Sequence, residues 1–183
     1  MRKVFIDCGA NKGFAIEGFR EIYGSDYEVF AFECLPECIG ILKEKFDDIT
    51  LIEKAVHTEN TNLKFNIGTT TRSGTLRHDK TMFQKGTHMT VEAVDLSMWL
   101  MDNFDETDEI IMAMDIEGSE YEIIPRMLET GAVKYLNKFY LEWHSMKLRD
   151  VPGITDQVLG ENLKAYLGDN LIVSVSTGWD ISR

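Results

Sequence analysis

The chain has 183 residues, 44% of them hydrophobic and 27% charged, which is the size and composition of one globular domain with its own core. Its net charge of −12, with lysines and arginines scattered rather than clustered, counts against a nucleic-acid partner. No apolar run approaches the roughly 18 residues of a membrane span, and the first strand begins too early to leave room for a signal peptide, so the expectation is a cytoplasmic protein without a membrane partner.

In chain order, an apolar strand over Lys3–Cys8 runs into a glycine turn, Gly9 to Gly13, and then a helix from about Lys12 to Tyr23. Phe14, Ile16, Phe19 and Ile22 form its apolar face, and Gly24 stops it. A second strand, Glu28–Phe32, ends at Glu33, and Pro36 opens a helix through Ile39, Leu42 and Phe46. A third strand is expected over Ile49–Val56. Strand–helix–strand–helix–strand is the signature of a right-handed parallel sheet.

Between about Thr58 and Val94 the period changes to two. Leu63, Phe65 and Ile67 alternate with polar residues, as do Met89 and Val91, which predicts an antiparallel hairpin around the polar loop Thr69–Thr75. A helix over Asp95–Phe104 follows, then a fourth strand, Ile110–Asp115, and a helix from Gly118 ended by Gly131. A fifth strand, Lys138–Trp143, leads straight into His144. A helix near Thr155–Leu167, a sixth strand Leu171–Ser176 and a short last strand Trp179–Ser182, antiparallel if formed, complete the chain. The fold class is α/β: a Rossmann-like, doubly wound, mainly parallel sheet with a hairpin insertion, in a single domain over residues 1–183.

The glycine turn between two apolar strands, the second ending in a carboxylate, reads as a nucleoside site: backbone can approach the ligand, and Glu33 can accept from ribose hydroxyls. Asn11 stands where the dinucleotide fingerprint requires its middle glycine, which argues against a nicotinamide-dependent oxidoreductase. Ligands of such sheets bind at the strand carboxyl ends. Those ends carry Asp7, Glu33, Ala55, Asp115 with Glu117, and Glu142 with His144. Each acid alone reads as a helix cap; together they read as a site. His144, oriented by a carboxylate, is a candidate base. Asp115, Glu117, Glu142 and His144 also offer ligands for a divalent cation, but their spacing fixes no geometry and the metal-free reading is preferred. Cys8, Cys34 and Cys38 are read as reduced thiols in packing roles.

Six segments, Ile6-Asp-Cys-Gly-Ala-Asn-Lys-Gly13, Ala31-Phe-Glu-Cys-Leu-Pro-Glu37, Glu53-Lys-Ala-Val56, Thr90–Leu96, Met114-Asp-Ile-Glu-Gly-Ser-Glu120 and Leu141-Glu-Trp-His144, together resemble the FkbM-type methyltransferases. The resemblance implies the class I methyltransferase fold and S-adenosylmethionine as cofactor. It implies that Asp7, Gly9, Ala10, Asn11 and Gly13 line the methionine part of that cofactor, that Glu33 holds the ribose, that Cys34 and Ala55 flank the adenine, and that Asp115 lies near the sulfonium. It implies a hydroxyl acceptor on a sugar or small metabolite, with His144 or Asp115 taking the proton and Glu117 orienting one of them. Met114 departs from the lysine that many members carry. The competing reading is a catalytically silent module that binds the nucleoside.

Overall fold

In the computed structural model, which describes residues 1–68, 74–80 and 83–175, a six-stranded sheet has the order β3-β2-β1-β7-β8-β9. Its strands are β1 (Lys3–Cys8), β2 (Glu28–Phe32), β3 (Ile49–Ile52), β7 (Glu109–Met114), β8 (Lys138–Trp143) and β9 (Leu171–Val175). Every pairing is parallel. Strand order reverses between β1 and β7, so a crevice opens beyond the carboxyl ends of these two strands.

Side chains of β1 alternate between two apolar layers. Val4, Ile6 and Cys8 pack with Leu96 and Leu100 of α3 (Leu96–Asn103), Ile123 and Met127 of α4 (Glu120–Thr130), and Leu159 and Leu163 of α5 (Ile154–Leu167). Phe5 points the other way, toward Ile16 and Phe19 of α1 (Phe14–Tyr23) and Leu42 of α2 (Pro36–Lys45). The rings of Phe5 and Phe19 stack with centroids 3.9 Å apart, and each fully buried ring contributes about 1.5–3 kcal/mol through burial alone. Among the described residues no helix is long and apolar enough to cross a membrane.

The strand expected over Ile49–Val56 is two strands in two sheets. The chain turns at Glu53-Lys54, where Lys54 N–H donates to Ile52 O at 2.8 Å. It then continues as β4 (Ala55–His57), which joins β5 (Thr61–Gly68) and β6 (Phe83–Asp95) in a second sheet of order β4-β6-β5. The expected antiparallel hairpin is the β5–β6 pair, and β4 runs parallel to β6. Residues 69–73 of the polar loop and the last strand expected over Trp179–Ser182 lie outside the described residues.

Two helices start later than expected, for one physical reason. Asn11 and Gly13 (φ 49° and 81°) hold left-handed backbone ahead of α1, and Glu117 and Gly118 (φ 56° and 117°) do so ahead of α4, so neither segment can be helical. Within α1, Ile16 and Phe19 are buried, whereas Phe14 and Ile22, expected on the apolar face, are about half exposed.

Candidate active site

The glycine turn is built from backbone. Gly9 and Ala10 donate to Phe32 O at 3.1 and 2.9 Å, which ties the end of β1 to the end of β2. Asp115 N–H donates to Cys8 O at 3.1 Å and ties β1 to the loop after β7. A Cβ at Gly9 would lie 2.2 Å from Asp115 O, so the two loops touch only because position 9 lacks a side chain.

Glu33 is buried and receives three backbone N–H groups: Asn11 on Oε2 at 2.8 Å, and Cys34 and Leu35 on Oε1 at 2.7 and 2.8 Å. Burial raises its pKa, against the opposing pull of those three donors. Oε2 keeps lone-pair capacity for a ligand hydroxyl. Asp7, on the same rim, is 2% exposed and its Oδ2 has no hydrogen-bond partner. Burial, with the charges of Asp115 and Glu33, pushes its pKa up to about 8. Cys34 packs beside Ala55 in a small apolar cluster of the second sheet, bringing together the two residues expected at an adenine. Burial, then the charge of Glu33, pushes the Cys34 and Cys38 thiols up, which agrees with packing roles.

Across the crevice, the ends of β7 and β8 form a carboxylate–imidazole cluster. His144 is buried, with its Nδ1 3.0 Å from Glu120 Oε1. Glu120 is also the acceptor for Ile116 N–H at 3.0 Å and Gly118 N–H at 2.8 Å, so it shapes the Asp115–Ser119 loop and aims the imidazole at once. His144 Nε2 faces Asp115 Oδ1 at 3.4 Å, Glu117 Oε2 at 3.5 Å and Glu142 Oε1 at 3.5 Å. Burial alone would lower the His144 pKa, but the charges of Glu120, Asp115 and Glu117 outweigh it and carry it up to about 9. Asp115 is pushed up to about 7 by burial and the charges of Glu142 and Glu117, against the pull of His144. Its Oδ1 is buried, yet 36% of the side chain is exposed.

Glu117 was expected to orient Asp115 or His144. Its carboxylate lies 3.5 Å from His144 Nε2 and also meets the ammonium of Lys80, which is 1% exposed, and Lys147 Nζ at 3.5 Å. The residue that orients His144 is Glu120. Lys80 escaped the sequence reading because nothing in the pattern separates it from the scattered surface lysines. Glu120 closes the segment Met114–Glu120, and its place four residues after Ile116, at the start of a helix, is the signal the chain offers.

Lys80 ends a segment of the insertion that docks on this loop. Thr75 Oγ1 donates to Glu117 O at 2.8 Å, Thr75 and Asn66 exchange backbone hydrogen bonds, and Arg77 pairs with Asp79 at 2.7 and 2.9 Å. His57 lies in β4, and His78 and His88 are exposed.

The two rims supply buried, uncompensated acceptors: Asp7 Oδ2 on one, Asp115 Oδ1 and Glu142 Oε2 on the other. A cationic ligand with hydroxyls suits that set.

The family described as "Methyltransferase FkbM domain" matches residues 7–159, which takes in both rims. A crystal structure of a methyltransferase FkbM from Methylobacillus flagellatus KT aligns with 92% of this chain at a TM-score of 0.53 and 13% identity, a likeness of fold. The chain spans 38% of the length of that protein. No curated protein matches it. By the extent of the family match, the chain belongs to the FkbM methyltransferase domain family.

Proposed function

We propose that this methyltransferase uses S-adenosylmethionine to methylate a hydroxyl group on a sugar or small metabolite. Bound in the crevice, the cofactor supplies a methyl group on a positively charged sulfur. Asp7, Gly9, Ala10, Asn11 and Gly13 form the turn that would take its methionine end. Glu33 would accept from the ribose through Oε2, and Cys34 and Ala55 would pack against the base. The acidic rim suits a cation, and it stabilises positive charge best where water is excluded.

The chain's own chemical contribution is to hold two reactants in register and to remove a proton. Asp115 carries this reading. It sits at the carboxyl end of β7, partly open, with a pKa of about 7 that makes it a stronger base than an ordinary carboxylate. His144, wholly buried behind it, positions Asp115 and balances its charge.

The test is turnover of a panel of hydroxyl-bearing sugars and metabolites, with the methylated product located by mass spectrometry. Asp115→Asn should keep cofactor binding by calorimetry and lose about 100-fold or more in kcat, the usual contribution of a positioned base. Full turnover in Asp115→Asn, or a product methylated on nitrogen or carbon, overturns the reading.

A further inference from the structure

The cluster at the ends of β7 and β8 crowds four carboxylates, Asp115, Glu117, Glu120 and Glu142, around one imidazole. Glu120 accepts two backbone N–H groups and faces His144 Nδ1, so Nδ1 carries the proton donated to it. The ring is thereby fixed with Nε2 directed into the gap between Asp115, Glu117 and Glu142. His144 Nε2, Asp115 Oδ1 and Glu142 Oε2 are all buried without a hydrogen-bond partner. Unsatisfied buried polar atoms are costly, so Asp115 Oδ1 and His144 Nε2, facing each other at 3.4 Å, call for a shared ligand.

With Nε2 unprotonated, one water has two hydrogens for three acceptors, two carboxylate oxygens and the ring nitrogen. A proton on Nε2, which the surrounding carboxylates favour, would meet them at 3.4–3.5 Å, too long for good hydrogen bonds. The separations from Nε2 suit a metal: an ion ~2.1 Å from each ligand of a tetrahedral set places those ligands roughly 3.4 Å apart. One oxygen each of Asp115 and Glu117 and one nitrogen of His144 lie within 4.8 Å of one another. The carboxylate of Glu120 behind the imidazole is the arrangement that fixes ring orientation in metal-binding histidines.

We propose that Asp115, Glu117 and His144, with Glu142 at their edge, form a binding site for one divalent transition-metal ion, of the manganese–zinc class that a single imidazole among carboxylates selects. Glu117 Oε2, which faces His144 Nε2 at 3.5 Å, is also approached by Lys80 and Lys147, so the ion would share that carboxylate with the two ammonium groups. Asp115 ligates through the buried Oδ1 and keeps Oδ2 for the crevice. What the ion would do there, holding and polarising the acceptor oxygen, rests on the proposed hydroxyl methylation; its binding does not.

The full chain, stripped with chelator and dialysed, would be titrated with Mn(II), reading free ion by electron paramagnetic resonance, and with Zn(II) by calorimetry. One ion per chain is expected. Asp115→Asn and Glu142→Gln should each weaken it at least tenfold, with thermal melts showing that both variants fold, while the surface change Glu44→Gln leaves it unchanged. No binding up to millimolar ion, or equal affinity in the two folded ligand variants, overturns the proposal. An ion bound as expected in a chain that methylates no hydroxyl supports this site and sinks the functional reading instead. Methyl transfer by a chain that binds neither ion does the reverse.

Discussion

Glu120 Oε1 and His144 Nδ1, 24 residues apart in sequence and on neighbouring elements, meet at 3.0 Å with both side chains fully buried. Through this contact the loop after β7 and the end of β8 are positioned by a single carboxylate. Glu120→Gln puts an amide nitrogen where one oxygen now accepts. It should destabilise the chain by about 3 kcal/mol, the scale for breaking a buried charged network, as measured by urea denaturation. A loss under ~0.5 kcal/mol would show that the loop holds its shape without the contact.

Gly9→Ala tests the junction of the two rims. The new methyl would meet Asp115 O at 2.2 Å, at a φ of 89° that L residues rarely adopt. The expected cost is more than ~1 kcal/mol of stability, together with at least a tenfold weaker affinity for S-adenosylmethionine by calorimetry. Gly153→Ala, where a Cβ would meet nothing within 4 Å, is the control and should leave affinity unchanged.

Acid should loosen the docked insertion through Asp79. Its hydrogen-bonded pairing with Arg77 holds the buried Asp79 carboxyl at about 2, below its ordinary 3.8. A depressed carboxylate stabilises the folded chain above its ordinary pKa and loses that contribution as pH falls through its folded value. The window is therefore about pH 4 down to pH 2, and the difference at neutral pH is about 2 kcal/mol. Denaturation of wild type and Asp79→Asn should differ by that order at pH 6 and converge toward pH 2. Parallel pH profiles for the two proteins would contradict it.

Cofactor binding should release protons. Asp7 at about 8 and Asp115 at about 7 are both partly protonated at neutral pH, and a cation between the rims favours their charged forms. The apparent binding enthalpy of S-adenosylmethionine at pH 7 should thus differ between phosphate and Tris buffers. S-adenosylhomocysteine, neutral at sulfur, should release fewer protons. Equal release for the two ligands would place the sulfur away from both carboxylates.

The sheet was legible because its strands are short apolar runs with glycine or proline punctuation, and period alone separates them from the amphipathic helices. The same logic merged β3 with β4: Ile49–Val56 stays apolar enough to read as one strand, and no local signal marks a change of sheet. Strand-end acids pointed to both rims. Which carboxylate touches which partner was not legible, since Glu117 and Glu120 sit in one short motif and their divergence follows from Glu117 adopting left-handed backbone. Lys80 reaches the site through tertiary docking of the insertion, which has no periodic signature.

Two contacts of that docking meet at one residue. Thr75 grips the carbonyl of Glu117 and Lys80 grips its carboxylate, so the small sheet is fastened to the large one at a point beside the chemistry and away from the nucleoside turn. Fastened there, the stretch between β4 and α3 behaves as an interchangeable cartridge. Under the proposed function, changes in its outer part would alter what faces the acceptor and leave Asp7, Gly9 and Glu33 in place.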